Sequence, residues 1–462
     1  MLGKVKAHEA VQSLLDVHAG ERRVFDNIHD YLVPWTTQMA VNKMGVKINS
    51  KNRDRISELA RISHTPFINL VVDTYGQSLK VDGFYNRDRE NIDAWKWWQR
   101  NRMQSKQTGL HRDALTYGTS YALALPGVDG GVRIGVHSPR LMVAYYGDSS
   151  GFPGMEASSD EYPILALEVS GKQLRLFDEA YVYYFGAERV PNVPEGWLDR
   201  GYYSAANLQF IEAREHNIGV TPIVRYRDRW MSEGEEQRGI VQHLLGLQDR
   251  IDLTNFEQGQ TQYLAAFKQR YVVGWMPSNE VQALKQSVAE TQFFKDPGVK
   301  VGQYDESDLT RYIEARQATV RDLAAVAQVP AQSLGANAIS NISADGLAAL
   351  ETSKDRKAAE IQTSLGESHE QLLRLSAWIS GDEAAAGDFE SEVSWEETSA
   401  RTFAQTVDAL GKLSTMLGIP PEELWPDIPG WTKERVERAK NSRRAAGVNS
   451  GLYFNEDPSL GG

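Results

Sequence analysis

At 462 residues, with 41% hydrophobic and 24% charged residues and with 11 Trp and 19 Tyr, the chain has a folded protein's composition and excludes disorder as its main state. That length allows two or three domains, or one elongated subunit built from several segments. A net charge of −12 disfavours a nucleic-acid binder that works through a dominant basic face, and leaves only contacts that are local and basic or deliberately weak. Zero cysteines exclude disulfides, thiolate metal sites and Cys nucleophiles. No run approaches the roughly 18 apolar residues that span a bilayer, and residues 1–20 carry no apolar signal core, so a soluble, unexported protein without membrane contact is expected.

Residues 1–100 read as helical with breaks. The run Ile62-Ser63-His64-Thr65-Pro66-Phe67-Ile68-Asn69-Leu70-Val71-Val72-Asp73-Thr74-Tyr75 sets apolar residues at helical spacing, with Pro66 suited to a first turn, and is expected to be buried. In Ala94-Trp95-Lys96-Trp97-Trp98-Gln99-Arg100-Asn101-Arg102-Met103, Trp95 and Trp98 fall one helical turn apart. That spacing favours a core or subunit contact over base stacking. From 117 to 226 the texture turns to short β runs at 121–125, 132–136, 141–146, 164–169 and 180–185, closed by Pro222-Ile223-Val224-Arg225-Tyr226. Gly127, Gly130, Gly131 and Gly135 lack dinucleotide spacing and read as a hairpin. The class is α+β with antiparallel pairing, not an alternating nucleotide fold.

Beyond Gly234, Ile240, Leu244, Leu247 and Ile251 step by four, three and four, which predicts a long helix toward Leu264. A short β insertion follows at 270–275 and 299–304, with a helix near 279–289 between. The next helix is carried by Leu309, Tyr312, Ile313, Val320, Leu323 and Val326, with Asp305 or Ser307 as its predicted cap. Residues 329–344 are then sixteen without a formal charge. A third helix runs to about Ser380 on the stripe Leu347, Leu350, Ala358, Ile361, Leu365, Leu372, Leu375 and Ile379. Residues 382–397 hold seven carboxylates and no cation, which reads as a solvated linker. A helix on Phe403, Val407, Leu410, Leu413 and Leu417 ends before Pro420-Pro421. A basic helix over 432–445 and a loose tail from 448 close the chain.

The chain carries no P-loop, nucleophile elbow, H-E-x-x-H or EF-hand loop, and its nine histidines are scattered singly. Asp305-Glu306-Ser307-Asp308 is read as helix capping before metal binding. No catalytic residue, metal ligand or cofactor site is therefore assigned.

The order of segments resembles the portal proteins of tailed phages. The run 62–75 with Leu79-Lys80-Val81-Asp82-Gly83, the tryptophan run 95–102 and Asp113-Ala114-Leu115-Thr116-Tyr117-Gly118-Thr119-Ser120-Tyr121 are similar to the N-terminal part of portals from phages of actinobacteria, and Leu245-Gly246-Leu247-Gln248-Asp249 extends the likeness. The resemblance implies an α/β wing (1–235), a first stem helix (236–264), a small β-containing clip (265–306), a second stem helix (307–328), a tunnel loop (329–345), a long wing helix (346–380), an acidic linker (381–397), a helical crown (398–446) and a flexible tail (447–462).

It further implies a homo-oligomeric ring of about twelve subunits. That ring would sit in the virion at one capsid vertex, after assembly in the host cytoplasm, and conduct double-stranded DNA in packaging and ejection. Its implied partners are the major capsid or scaffold protein, terminase and a head-tail adaptor. Gln332, Ser333, Asn337, Ser340, Asn341 and Ser343 are expected at the narrowest part of the channel, because an uncharged surface does not trap phosphates. Lys433, Arg435, Arg438, Lys440, Arg443 and Arg444 read either as crown contacts to packaged DNA or as a solvated face. Two alternatives stay open: an enzyme acting on polysaccharide or nucleic acid through an acid pair, and a different head-tail ring protein.

Overall fold

The computed structural model describes residues 2–45, 53–86, 89–90, 92–128, 130–146, 162–188, 207–230, 239–266, 270–273, 298, 300–303, 308–336, 344–396, 403–428, 431, 435–436 and 438–443. It divides into two compact units, Met1–Ser343 with Leu350–Glu397, and Ala344–Ala349 with Thr398–Gly462.

In the first unit, helix α1 (Lys4–His29) buries Ala7, Val11, Leu14, His18, Arg22 and Phe25, which recur at steps of three or four and so share one face of the helix. Its N-terminal half packs on one core cluster and Phe25 and Ile28 on another, so one helix joins both. Helices α2 (Thr37–Met44) and α3 (Arg53–Ser63) precede α4 (Phe67–Gln77), which starts after Pro66 and buries Phe67, Ile68, Val71, Val72 and Tyr75 as predicted; Ile62 and Leu70 stay exposed. Strands β1 (Val81–Asn86) and β2 (Arg89–Glu90) lead to α5 (Ile92–Arg100) and α6 (Met103–Tyr117). Trp95 and Trp98 are buried and stacked at 5.0 Å, so the tryptophan run is core.

Strands β3 (Thr119–Pro126) and β4 (Val132–His137) form the expected hairpin, with Gly130 at φ 71° in its turn and Gly135 inside β4. Strands β5 (Met142–Tyr145), β6 (Leu165–Ser170), β7 (Gln173–Phe177), β8 (Tyr181–Ala187) and β9 (Leu208–Glu215) make an antiparallel meander in that order, and β10 (Ile223–Arg227) pairs with β3. The α+β class is thus met, with every pairing among the described residues antiparallel.

Helix α7 (Leu245–Ala266) begins later than the sequence stepping implied, because Gly239, at φ +66°, turns the chain against α6. A Cβ there would lie 2.2 Å from the Leu115 carbonyl oxygen, which instead accepts from Ile240 N–H at 2.9 Å. Ile240 is buried but lies before the helix. Strands β11 (Arg270–Val273) and β12 (Lys300–Gln303) pair antiparallel; the predicted 279–289 helix lies outside the described residues. Just before helix α8 (Thr310–Ala327) the Asp308 carboxylate accepts from Thr310 N–H at 2.9 Å, while Leu309 holds the cap position without a side-chain bond; Asp305 and Ser307 lie outside the described residues. Val320 and Leu323 are buried, whereas Ile313 and Val326 are exposed.

Helix α9 (Ala344–Ile379) buries Ala358, Ile361, Leu365, Leu372 and Leu375 in the main core. It also covers the open edge of β10: Ser364 and Ser368 hydroxyls donate to the Arg227 and Arg225 carbonyls, each at 2.9 Å. The acidic run is less of a linker than its composition implied. It holds the short α10 (Glu383–Ala386) and strand β13 (Glu392–Trp395), which pairs with β1 and brings Trp395 against the core. The second unit contains α11 (Phe403–Leu417) and α12 (Pro421–Leu424).

Candidate nucleic-acid interface

The candidate channel segment is positioned by the pair α7 and α8 and by the turn that leaves α8. The base of α7 is held by a polar cluster around Asp252, which is fully buried. Its carboxylate accepts from His64 Nδ1 at 2.8 Å, Thr65 N–H at 3.1 Å and Gln248 Nε2 at 2.8 Å, while Gln248 also donates to the Thr65 carbonyl at 2.7 Å. His64 in turn stacks on Trp35, ring centroids 4.3 Å apart. Burial pushes the Asp252 carboxyl above the ordinary carboxylate range, and the donors around it oppose that. Tyr31 O–H donates to Asp249 one turn earlier, at 2.8 Å.

At its far end α8 stops in a defined way. Gln328 takes the left-handed conformation at φ 58°. Its N–H donates to the Ala325 carbonyl at 3.2 Å, and Val329 N–H to Ala324 at 3.0 Å, which is the double bond of a Schellman termination. Pro330 then forbids continuation. Tyr75 O–H donates to the Ala327 carbonyl at 2.8 Å, satisfying another open helix end.

The uncharged stretch therefore has an anchored beginning. Residues Ala331–Leu334 form one 3₁₀ turn, and Val329, Leu334 and Ala336 are buried in the main core. Within it Ser333 is exposed and Gln332 half-buried; Asn337, Ser340, Asn341 and Ser343 lie outside the described residues.

In the second unit, Arg435 lies 4.7 Å over the Trp431 ring. Arg443 pairs with Glu422 at 2.8 Å and approaches Trp425 at 5.8 Å. Arg438 is exposed and Lys440 half-buried, while Lys433 and Arg444 lie outside the described residues. Arg443 is thus paired within the unit, whereas Arg435 and Arg438 are exposed.

A family model described as "Phage portal protein, SPP1 Gp6-like" matches residues 39–447. The chain belongs to that portal family. The "Portal protein" of Mycobacterium phage D29 is 24% identical over 429 residues, covering 87% of this portal chain and 84% of the relative. That of Mycobacterium phage L5 matches with the same identity and coverage. Among solved structures, the neck of an empty gene transfer agent particle computed with C6 symmetry is similar at TM-score 0.43 and 13% identity, over 84% of this chain and 90% of that one. An HK97 family phage portal protein from Corynebacterium diphtheriae is similar at TM-score 0.27 and 12% identity, over 63% and 75%.

The polar cluster at the base of α7 went unseen in the portal sequence. His64 and Asp252 stand 188 positions apart, and neither residue type nor local spacing signals the pair. Among the described residues no group of three or more His, Cys, Asp or Glu is placed to hold a metal ion, and no helix is long and apolar enough to cross a membrane.

Proposed function

We propose that this portal chain closes with copies of itself into a ring at one capsid vertex of the virion, and that double-stranded DNA passes along the ring axis in packaging and ejection. In this reading α7 and α8 form the stem, β11 and β12 belong to the clip, 329–345 is the tunnel loop and 398–446 the crown. The observation that carries it is the order of helix, antiparallel strand pair, helix, capped turn and long helix in a chain of the portal family. The role is structural: the chain guides DNA and performs no catalysis. Capsid or scaffold protein, terminase and a head-tail adaptor are the proposed partners, with terminase docking on the clip.

Electron microscopy of the purified chain tests this directly. A ring with an axial hole and residues 337–343 at its constriction is expected. A compact monomer, or a ring carrying 332–343 on its outer surface, overturns the assignment. Crown cations are tested apart from it: replacing Arg435, Arg438, Lys440 and Arg443 by Gln with unchanged packaging assigns them to a solvated face.

A further inference from the structure

The second unit has little core for the helix it contains. Among its described residues only Leu424 and Val436 are buried apolar side chains. Helix α11 is 15 residues long. A helix of about 12–15 residues is marginal in water unless its apolar face is covered. Val407, Leu410, Leu413 and Leu417 recur at steps of three or four and so share one face, with Met416 at its edge. Asp408 and Lys412 pair at 2.6 Å on the other side, so no charge interrupts the stripe. Yet Val407 and Leu413 are exposed, Leu410 is only half-buried, and Leu417 and Met416 are 70% and 78% exposed.

The same chain supplies a segment of the right chemistry and reach. Arg443, the last described residue, pairs with Glu422 at 2.8 Å, and Glu422 stands five positions beyond Leu417. Residues 444–462 therefore start beside the C-terminal end of the stripe. The ten residues from Arg443 to Tyr453 span at most about 33–36 Å. Helix α11 is only about 22 Å long, so Tyr453 reaches Leu413 from beyond that end with slack. Residues 448–462 are rich in Gly, Asn and Ser, which alone gives a loose tail, but Leu452-Tyr453-Phe454 sets three large apolar side chains together in it. Aromatic anchors of this kind gain most from a desolvated apolar seat. Glu456 and Asp457 follow. With the tail running antiparallel to α11 they approach its N-terminal end, whose first turn has no acid of its own and whose dipole favours carboxylates.

The size of the stripe favours a tethered occupant. A separate molecule held there alone would need a contact of about 20–30 residues a side, which five side chains cannot supply. A segment on the same chain is present at an effective concentration of about millimolar and holds on a smaller area.

We propose that Leu452, Tyr453 and Phe454 fold back along α11 of their own chain and cover Val407, Leu413 and Leu417. The contact lies within one copy, so it stands or falls apart from the ring reading above.

The absence of cysteine from the sequence makes the test direct. In the full chain, Leu413→Cys/Tyr453→Cys is compared with Thr415→Cys/Tyr453→Cys, because Thr415 is exposed on the opposite side of α11. Under mild oxidation the 413–453 pair should close within one chain, at a rate independent of chain concentration and about tenfold or more above that of the 415–453 pair. Equal rates for the two pairs overturn the proposal. Cross-links that form mainly between chains and rise with concentration also overturn it, and assign the stripe to a neighbouring copy. A second measurement needs no cysteine. Leu452→Ser/Tyr453→Ser/Phe454→Ser should speed amide hydrogen exchange at 407–417 by about tenfold and leave exchange in the first unit as in the wild type. Unchanged exchange at 407–417 overturns the proposal.

Discussion

His111 and His369 are 258 positions apart in sequence, yet their Nε2 atoms meet at 2.7 Å in a fully buried site. The proton positions follow from the partners. Leu79 offers only a carbonyl to His111 Nδ1, at 3.0 Å, so that nitrogen carries the hydrogen and Nε2 accepts. His369 Nε2 must then donate, and its Nδ1 accepts from Tyr226 O–H at 3.0 Å. Both rings are neutral in this chain of bonds; protonating His111 at Nε2 sets two N–H groups against each other, and protonating His369 at Nδ1 removes the acceptor of the Tyr226 hydroxyl. Burial lowers His111 from 6.5 to about 4, and burial followed by the neighbouring His111 drives His369 well below its ordinary value. The unfolded chain therefore takes up protons near pH 6.5 that the folded chain refuses until about pH 4, so the pair's contribution is complete above 6.5 and is lost as pH falls toward 4. Asp113 and Asp228, raised by burial to about 6 and about 7, run the other way and stabilise the fold at low pH. The total pH slope thus mixes opposing groups, and a variant isolates the pair. His369→Phe should cost roughly 2–5 kcal/mol at pH 8 by orphaning Tyr226 O–H and His111 Nε2. Its cost should be smaller at pH 5, where the wild type has begun to lose the interaction. Urea unfolding at both pH values measures this, and equal costs would show that the pair does not titrate with folding.

Two junctions decide how the α7 and α8 pair is held. At the base of α7, Asp252→Ala strands three donors, His64 Nδ1, Thr65 N–H and Gln248 Nε2, in a site closed to water. The expected cost is roughly 2–4 kcal/mol. Hydrogen exchange should rise locally, at 63–65 and in the first turns of α7, before it rises elsewhere; a uniform rise would mean that Asp252 supports the whole core and not this junction. At the end of α8, Gln328 pays for a left-handed conformation that glycine adopts freely. Gln328→Gly should therefore stabilise by about 0.5–1 kcal/mol, and Gln328→Val, β-branched at the same φ, should destabilise. Thermal melts of the two variants should move in opposite directions; movement in the same direction would show that side-chain contacts, not the backbone angle, dominate there.

For the molecule as a whole, the sequence was readable where periodicity is local. The stripe of α9 and the β3–β4 hairpin each declare themselves within a dozen residues, and the segment order followed from them. Strand β13 was hidden because its charges, not its Val393 and Trp395, dominate the window, and its place is decided by register against β1. Strand β9 mixes Gln, Glu and Arg with its apolar residues and was missed for the same reason. The candidate channel was visible as composition alone, sixteen uncharged residues in a chain of net charge −12, while its anchoring required tertiary contacts. That composition leads to a prediction about transport. In a closed ring every substitution repeats once per subunit, so Ser340→Lys with Asn341→Lys would crowd the constriction with cations that bind phosphate and release counterions. DNA packaging should slow, most strongly at low ionic strength, and recover as salt rises. The neutral pair Ser340→Gln with Asn341→Gln adds similar bulk without charge and should leave the salt dependence unchanged. A lysine variant that packages at the wild-type rate at every ionic strength would remove residues 340 and 341 from the channel wall, because no conduit lined with fresh cations escapes that dependence.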